Sequence, residues 1–73
     1  MGKGIYSKDY KDLARKLREV RKALGLTQVE VSDRLRRPQS YLSKVELGQY
    51  YIDVFELRAL ARIYKKKVGD FVR

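Results

Sequence analysis

The chain contains no cysteine and no histidine. Those two absences exclude disulfides, thiolate and imidazole metal sites, Cys and His nucleophiles and any Ser/His pair, so neither catalysis nor a cofactor or metal site is expected. No apolar run approaches the ~20 residues that span a bilayer, and Met1 to Asp9 lacks the apolar core of a signal peptide. A soluble, cytoplasmic protein without membrane partners is the expectation. Acidic residues are scarce: nine Asp and Glu stand against eighteen Lys and Arg, for a net charge of +9 and a pI near 10.0. Such an excess favours a polyanionic partner without choosing which one. With 73 residues the chain reads as one domain, 1–73, of modest stability, too short for a separate small-molecule-sensing domain. Strand patterns, internal repeats, linkers and low-complexity segments are all missing, and what remains is helical.

The single proline, Pro38, lies inside the most informative stretch, Thr27 to Gly48, where two short helical patterns meet with almost no room for a loop. Thr27 followed by Glu30 is a capping box that fixes the start of the first helix. Val31, Ser32 and Leu35 share its inner face, and the small Ser32 admits a close neighbour. Arg36 and Arg37 precede Pro38, whose ring disfavours α conformation in the residue before it and suits the first turn of a new helix. The chain therefore bends and restarts. In the second helix Leu42 and Val45 face inward and Gly48 supplies a left-handed C-terminal residue. Its outer face carries Gln39, Ser40, Tyr41, Ser43 and Lys44, none of which packing requires.

Around this centre, Met1 to Ser7, with two glycines, reads as a flexible arm. From Asp9 onward Tyr10, Leu13, Leu17, Val20 and Leu24 recur at helical spacing, with Ser7 as a cap and Gly25 as the end. Asp53 and Glu56 repeat the capping pattern and open a further helix, with Val54, Leu57, Leu60, Ala61 and Tyr64 inward and Lys65 to Lys67 at its negative end. Val68, Phe71 and Val72 close the chain as a short apolar turn on the first helix. The expected fold is all-α, a compact five-helix bundle.

An outer face of amides, hydroxyls and one lysine matches what a DNA major groove displays. Gln pairs bidentately with adenine N6/N7, Lys donates to guanine O6/N7, and Ser suits either. Gln39, Ser40 and Lys44 are the expected base readers, with Tyr41 a further candidate against a thymine methyl or a sugar. Gln28, at a helix N-terminus, is placed to hold a phosphate. Arg36, Arg37 and Ser43 flank the same groove, and Tyr50 and Tyr51 are placed toward the opposite backbone. Contacts of that kind position the protein without specifying sequence.

The segments LGLTQVEVSDRL, SYLSKVELG and VFELRALARIY resemble the phage repressor and Cro family of helix-turn-helix domains, the lambda-repressor-like or XRE type, from about Tyr10 to Phe71. The resemblance implies a helix-turn-helix over about 28–47. Its first helix (about Gln28 to Leu35) would lie across the DNA backbone and its second (about Pro38 to Leu47) in the major groove, usually within a homodimer on a palindromic operator. It also implies an ion pair between Arg21 and Glu46. The implied dimer surface comes from the loop and helix that follow and from the C-terminal residues, here Tyr50, Tyr51, Ile52, Phe55 and Val72, with Ile52 and Phe55 the leading candidates. The sequence departs from the family at Arg36, where a glycine is common and left-handed geometry costs another residue roughly 1–2 kcal/mol. Lys65 likewise replaces a glycine, and Val31 and Ser32 stand where leucine and alanine are usual. The expected function is a sequence-specific regulator of transcription that binds double-stranded DNA. The rival is a protein-interaction adaptor or antitoxin-type module on the same fold, against which the polar outer face argues, since a protein interface favours an apolar or aromatic centre.

Overall fold

A computed structural model of the chain describes residues 8–72. Four α-helices follow one another, α1 (Lys8–Ala23), α2 (Gln28–Leu35), α3 (Gln39–Glu46) and α4 (Val54–Ile63), then a single 3-10 turn at Val68–Asp70, with no strand among the described residues. The fifth helix of the expected bundle is this one turn. Gly69 lies at its middle, the Lys67 N–H donates to Asp70 Oδ2 at 2.8 Å, and Phe71 enters the core immediately after it. The arm 1–7 and the Ser7 cap lie outside the described residues. No described helix is long and apolar enough to cross a membrane.

Local chemistry sets the starts. Thr27 Oγ1 accepts from the Glu30 N–H at 3.1 Å, and Glu30 Oε1 accepts from the Thr27 N–H at 2.8 Å. Asp53 and Glu56 exchange the same two bonds, each 2.8 Å, at the head of α4. Each box satisfies two N–H groups that the first turn of a helix would leave orphaned.

All four helices end beside a left-handed residue. After α1 and α3 it is a glycine, Gly25 at φ 73° and Gly48 at φ 75°, which adopts that conformation without strain. After α2 and α4 it is Arg36 at φ 58° and Lys65 at φ 57°. Arg36→Gly should therefore relieve roughly 1–2 kcal/mol of strain and give back roughly 0.4–1 kcal/mol through a freer unfolded chain. A rise of up to about 1 kcal/mol in stability is expected, read as a higher urea midpoint at unchanged slope. A lower midpoint would mean that contacts of the arginine outweigh its strain.

Leu17, Val31, Leu42, Val45, Leu60 and Tyr64 fill the centre, with Leu57, Ala61 and Phe71 around them. α2 packs on α3, α1 lies on α3, and α4 lies on α2. Two residues expected inside are outside. Leu24 follows the last residue of α1 and leaves the stripe, while Val54, the first residue of α4, precedes the turn that meets the core.

Two buried hydroxyl oxygens, Ser32 Oγ and Tyr64 Oη, have no hydrogen-bond partner among the described residues. Burial also pushes the Tyr64 hydroxyl pKa up, the neighbouring Glu46 charge adding to it. An unpaired buried polar group costs about 1–3 kcal/mol, and alanine is the better helix former, so Ser32→Ala and Tyr64→Phe should each raise stability by roughly 0.5–1 kcal/mol. The thermal midpoint of a domain this size should rise by about 2–8 °C. A fall in either midpoint would show that the hydroxyl is satisfied in solution.

Candidate nucleic-acid interface

Glu46 closes α3, and its side chain is 2% exposed beside that of Arg21, 11% exposed, from α1. Arg21 Nε donates to Oε2 at 2.7 Å and Nη2 donates to Oε1 at 2.9 Å, a bidentate pair that holds the guanidinium pKa above its ordinary value. The remaining arm, Nη1, donates to the Leu26 carbonyl at 2.8 Å and so ties down the chain just before α2.

The same carboxylate orients two surface amides. Gln28 Nε2 donates to Glu46 Oε1 at 3.0 Å. A carboxylate only accepts, so the nitrogen of Gln28 must face it and the oxygen must face away. There Gln28 Oε1 accepts from Gln39 Nε2 at 3.3 Å. A line of bonds thus runs from α1 through a buried charge to the first residue of α3. Gln39 keeps its Oε1 and one N–H uncommitted, side by side, the pattern complementary to adenine N6 and N7.

A second carboxylate, Glu56 of α4, gathers the other side. Its Oε2 accepts from Arg37 Nη2 at 3.2 Å, from the Tyr41 hydroxyl at 3.0 Å and from the Tyr50 hydroxyl at 3.4 Å. The Arg37 guanidinium stands 4.5 Å from the centre of the Tyr41 ring, and Tyr50 packs edge-on to that ring at 5.1 Å. Burial, with the bond to Glu56, pushes the Tyr41 hydroxyl pKa up. The loop before α4 is also held from α1: the Tyr10 hydroxyl donates to the Tyr50 carbonyl and accepts from the Ile52 N–H at 3.2 Å. The Tyr10 ring meets Tyr51 edge-on at 5.0 Å, and burial raises the Tyr10 hydroxyl pKa.

α2 and α3 therefore form two short helices joined through Arg36, Arg37 and Pro38, locked to the rest of the chain by Glu46 and Glu56. A family model described as a helix-turn-helix domain matches residues 12–66. The chain belongs to the helix-turn-helix domain family. No curated protein matches it. Domains of this family bind DNA, and the match agrees with the resemblance to phage repressors and Cro.

Within this helix-turn-helix, Gln39, Ser40 and Lys44 stand exposed on α3, Ser43 is half-buried beside them, and Arg36 is exposed in the turn. Tyr41 does not share that face. It lies one helical turn before buried Val45, so it falls on the inward stripe, and its hydroxyl and ring are taken up by Glu56, Arg37 and Tyr50. Arg37, expected beside the groove, is drawn instead to Glu56. Gln28 is half-buried between Glu46 and Gln39, its side-chain amide bonded to both. Tyr50 and Tyr51 brace the loop with their rings while remaining partly exposed. Ile52 is half-buried against the core, whereas Phe55 is 72% exposed. Sequence reasoning took Glu56 for a cap and Tyr10 for a core aromatic; their further bonds reach residues 6 to 42 positions away, beyond any local spacing.

Proposed function

We propose that the protein is a sequence-specific, double-stranded-DNA-binding regulator of transcription that inserts α3 into the major groove as one half of a homodimer. The observation that carries this reading is the line Arg21, Glu46, Gln28, Gln39. It orders two long polar side chains that packing does not need and points one of them outward with a donor and an acceptor uncommitted. Gln39, Ser40 and Lys44 read bases. The start of α2, with Gln28, holds a phosphate, Arg36 and Ser43 flank the groove, and Tyr50 and Tyr51 face the opposite backbone. Arg37 and Tyr41 hold α3 in place through Glu56. No cofactor enters the mechanism.

One domain reading one half-site gains too little discrimination for a genome, because a mismatch costs only about 1–3 kcal/mol. A second copy on DNA follows, joined through Ile52 and Phe55, with the two α3 helices about 34 Å apart. The adaptor or antitoxin-type reading has one observation in its favour: exposed Phe55 borders a groove of about 300 Å³ that runs between Leu35 and Ala59. Selection of bound duplexes from a random pool separates the two. A palindromic consensus with half-sites one turn apart supports the regulator, and recovery of unrelated sequences supports the adaptor.

A further inference from the structure

α4 has an outward face that the helix-turn-helix does not use. Leu57, Leu60 and Ala61 point inward, which leaves Arg58 and Arg62, four apart, on one exposed stripe, and exposed Lys65, Lys66 and Lys67 follow just after the helix ends at Ile63. Among the described residues none of these five cations forms an ion pair. Beyond Phe55 the stripe carries no apolar side chain larger than Ala59. Lys65 also occupies a left-handed position, φ 57°, that glycine would take without strain, so a cation stands there against the backbone preference. α4 packs on α2 and the 3-10 turn and reaches α3 through the bond from Tyr41 to Glu56, and Glu56 lies on the other side of the helix from Arg58 and Arg62, so the stripe faces away from that contact.

A surface of charge without an apolar centre does not suit a protein partner, because interface cores are apolar or aromatic and depleted in lysine. It suits phosphates, which guanidinium and ammonium groups bind by charge-assisted hydrogen bonds. The helix runs about 8 Å from Arg58 to its end at Ile63, the three lysines extend it, and a duplex carries one charge per ~1.7 Å, so several phosphates fall within reach. A dimer contact at Ile52 and Phe55 would occupy the first turn of α4 and leave Arg62 onward open. We infer that this stripe is a sequence-independent site for the phosphate backbone of duplex nucleic acid, additional to the bases and phosphates met by α2 and α3.

The test compares the wild type, a triple variant (Arg58→Gln, Arg62→Gln, Lys65→Gly) and a charge-keeping variant (Arg58→Lys, Arg62→Lys), each titrated with a random-sequence duplex over a range of salt. Lys65→Gly removes a charge while relieving strain, and thermal melts should find the triple variant as well folded as the wild type. The slope of log K against log salt should become shallower by about 2 to 3 in the triple variant and stay unchanged in the charge-keeping one, since each lost phosphate contact removes about 0.9. An unchanged slope in the triple variant overturns the inference. So does loss of binding to polyglutamate without loss of binding to duplex, which would make the face a site for an acidic protein. The outcome is independent of base reading by α3: a shallower slope in a protein with no sequence preference keeps this inference and removes that one. A retained preference with an unchanged slope does the reverse.

Discussion

Arg21→Ala or Glu46→Ala should cost about 3–5 kcal/mol, because each leaves the other charge buried and unpaired. The Glu46 side chain is 2% exposed, accepts from Nε and Nη2 of Arg21 and also orients Gln28, so little solvent compensates for the loss. A chain of 73 residues has a total stability of about 4–11 kcal/mol, and either variant should lose a large part of it. The double variant Arg21→Ala, Glu46→Ala should lose much less than the sum, since removing both charges together leaves neither buried and unpaired. A double-mutant cycle in urea measures this. Strict additivity would mean that the two side chains do not act as a unit.

The second large effect concerns discrimination between DNA sequences. Gln39→Ala and Lys44→Ala should each lose roughly 1–3 kcal/mol of preference at one base pair per half-site, a factor of about 5 to 150, while changing affinity for scrambled DNA little. Gln28→Ala should behave in a mixed way. It removes a phosphate-side group, which lowers affinity for all sequences alike, and it also frees the Gln39 amide, whose orientation depends on Gln28 Oε1. Affinities for the selected site and its single-base substitutions, at one fixed salt concentration, separate the two classes. Equal losses on every sequence from Gln39→Ala and Lys44→Ala would remove α3 from the groove.

The helix boundaries were legible because the chemistry that sets them is local. Thr27 with Glu30 and Asp53 with Glu56 act over three residues, and the structure contains both boxes. The left-handed positions of Arg36 and Lys65 followed from a family habit of placing glycine there, and the backbone has that geometry without the glycine. Tyr41 was misplaced because an eight-residue helix has a wide rim, and an aromatic side chain on the rim turns toward whichever partner the fold supplies. Here the partner is Glu56, 15 residues away in sequence. The bond lines from Glu46 to Arg21 and Gln28 span 25 and 18 residues. Spacing carries no signal at such distances, and only the family resemblance anticipated the first of them. Leu24 and Val54 fit the helical period yet sit at helix ends, where the period no longer decides burial.

Base reading by α3 in the major groove would bring its polar side chains within a few ångströms of base protons. Intermolecular NOEs between labelled protein and a selected duplex test it most directly. The Gln39 and Lys44 side chains should show NOEs to base protons of the major groove, including cytosine H5 and thymine methyl protons, with Ser40 close by. NOEs from these residues to sugar protons alone, or base-proton NOEs arising from a different helix, would contradict the account.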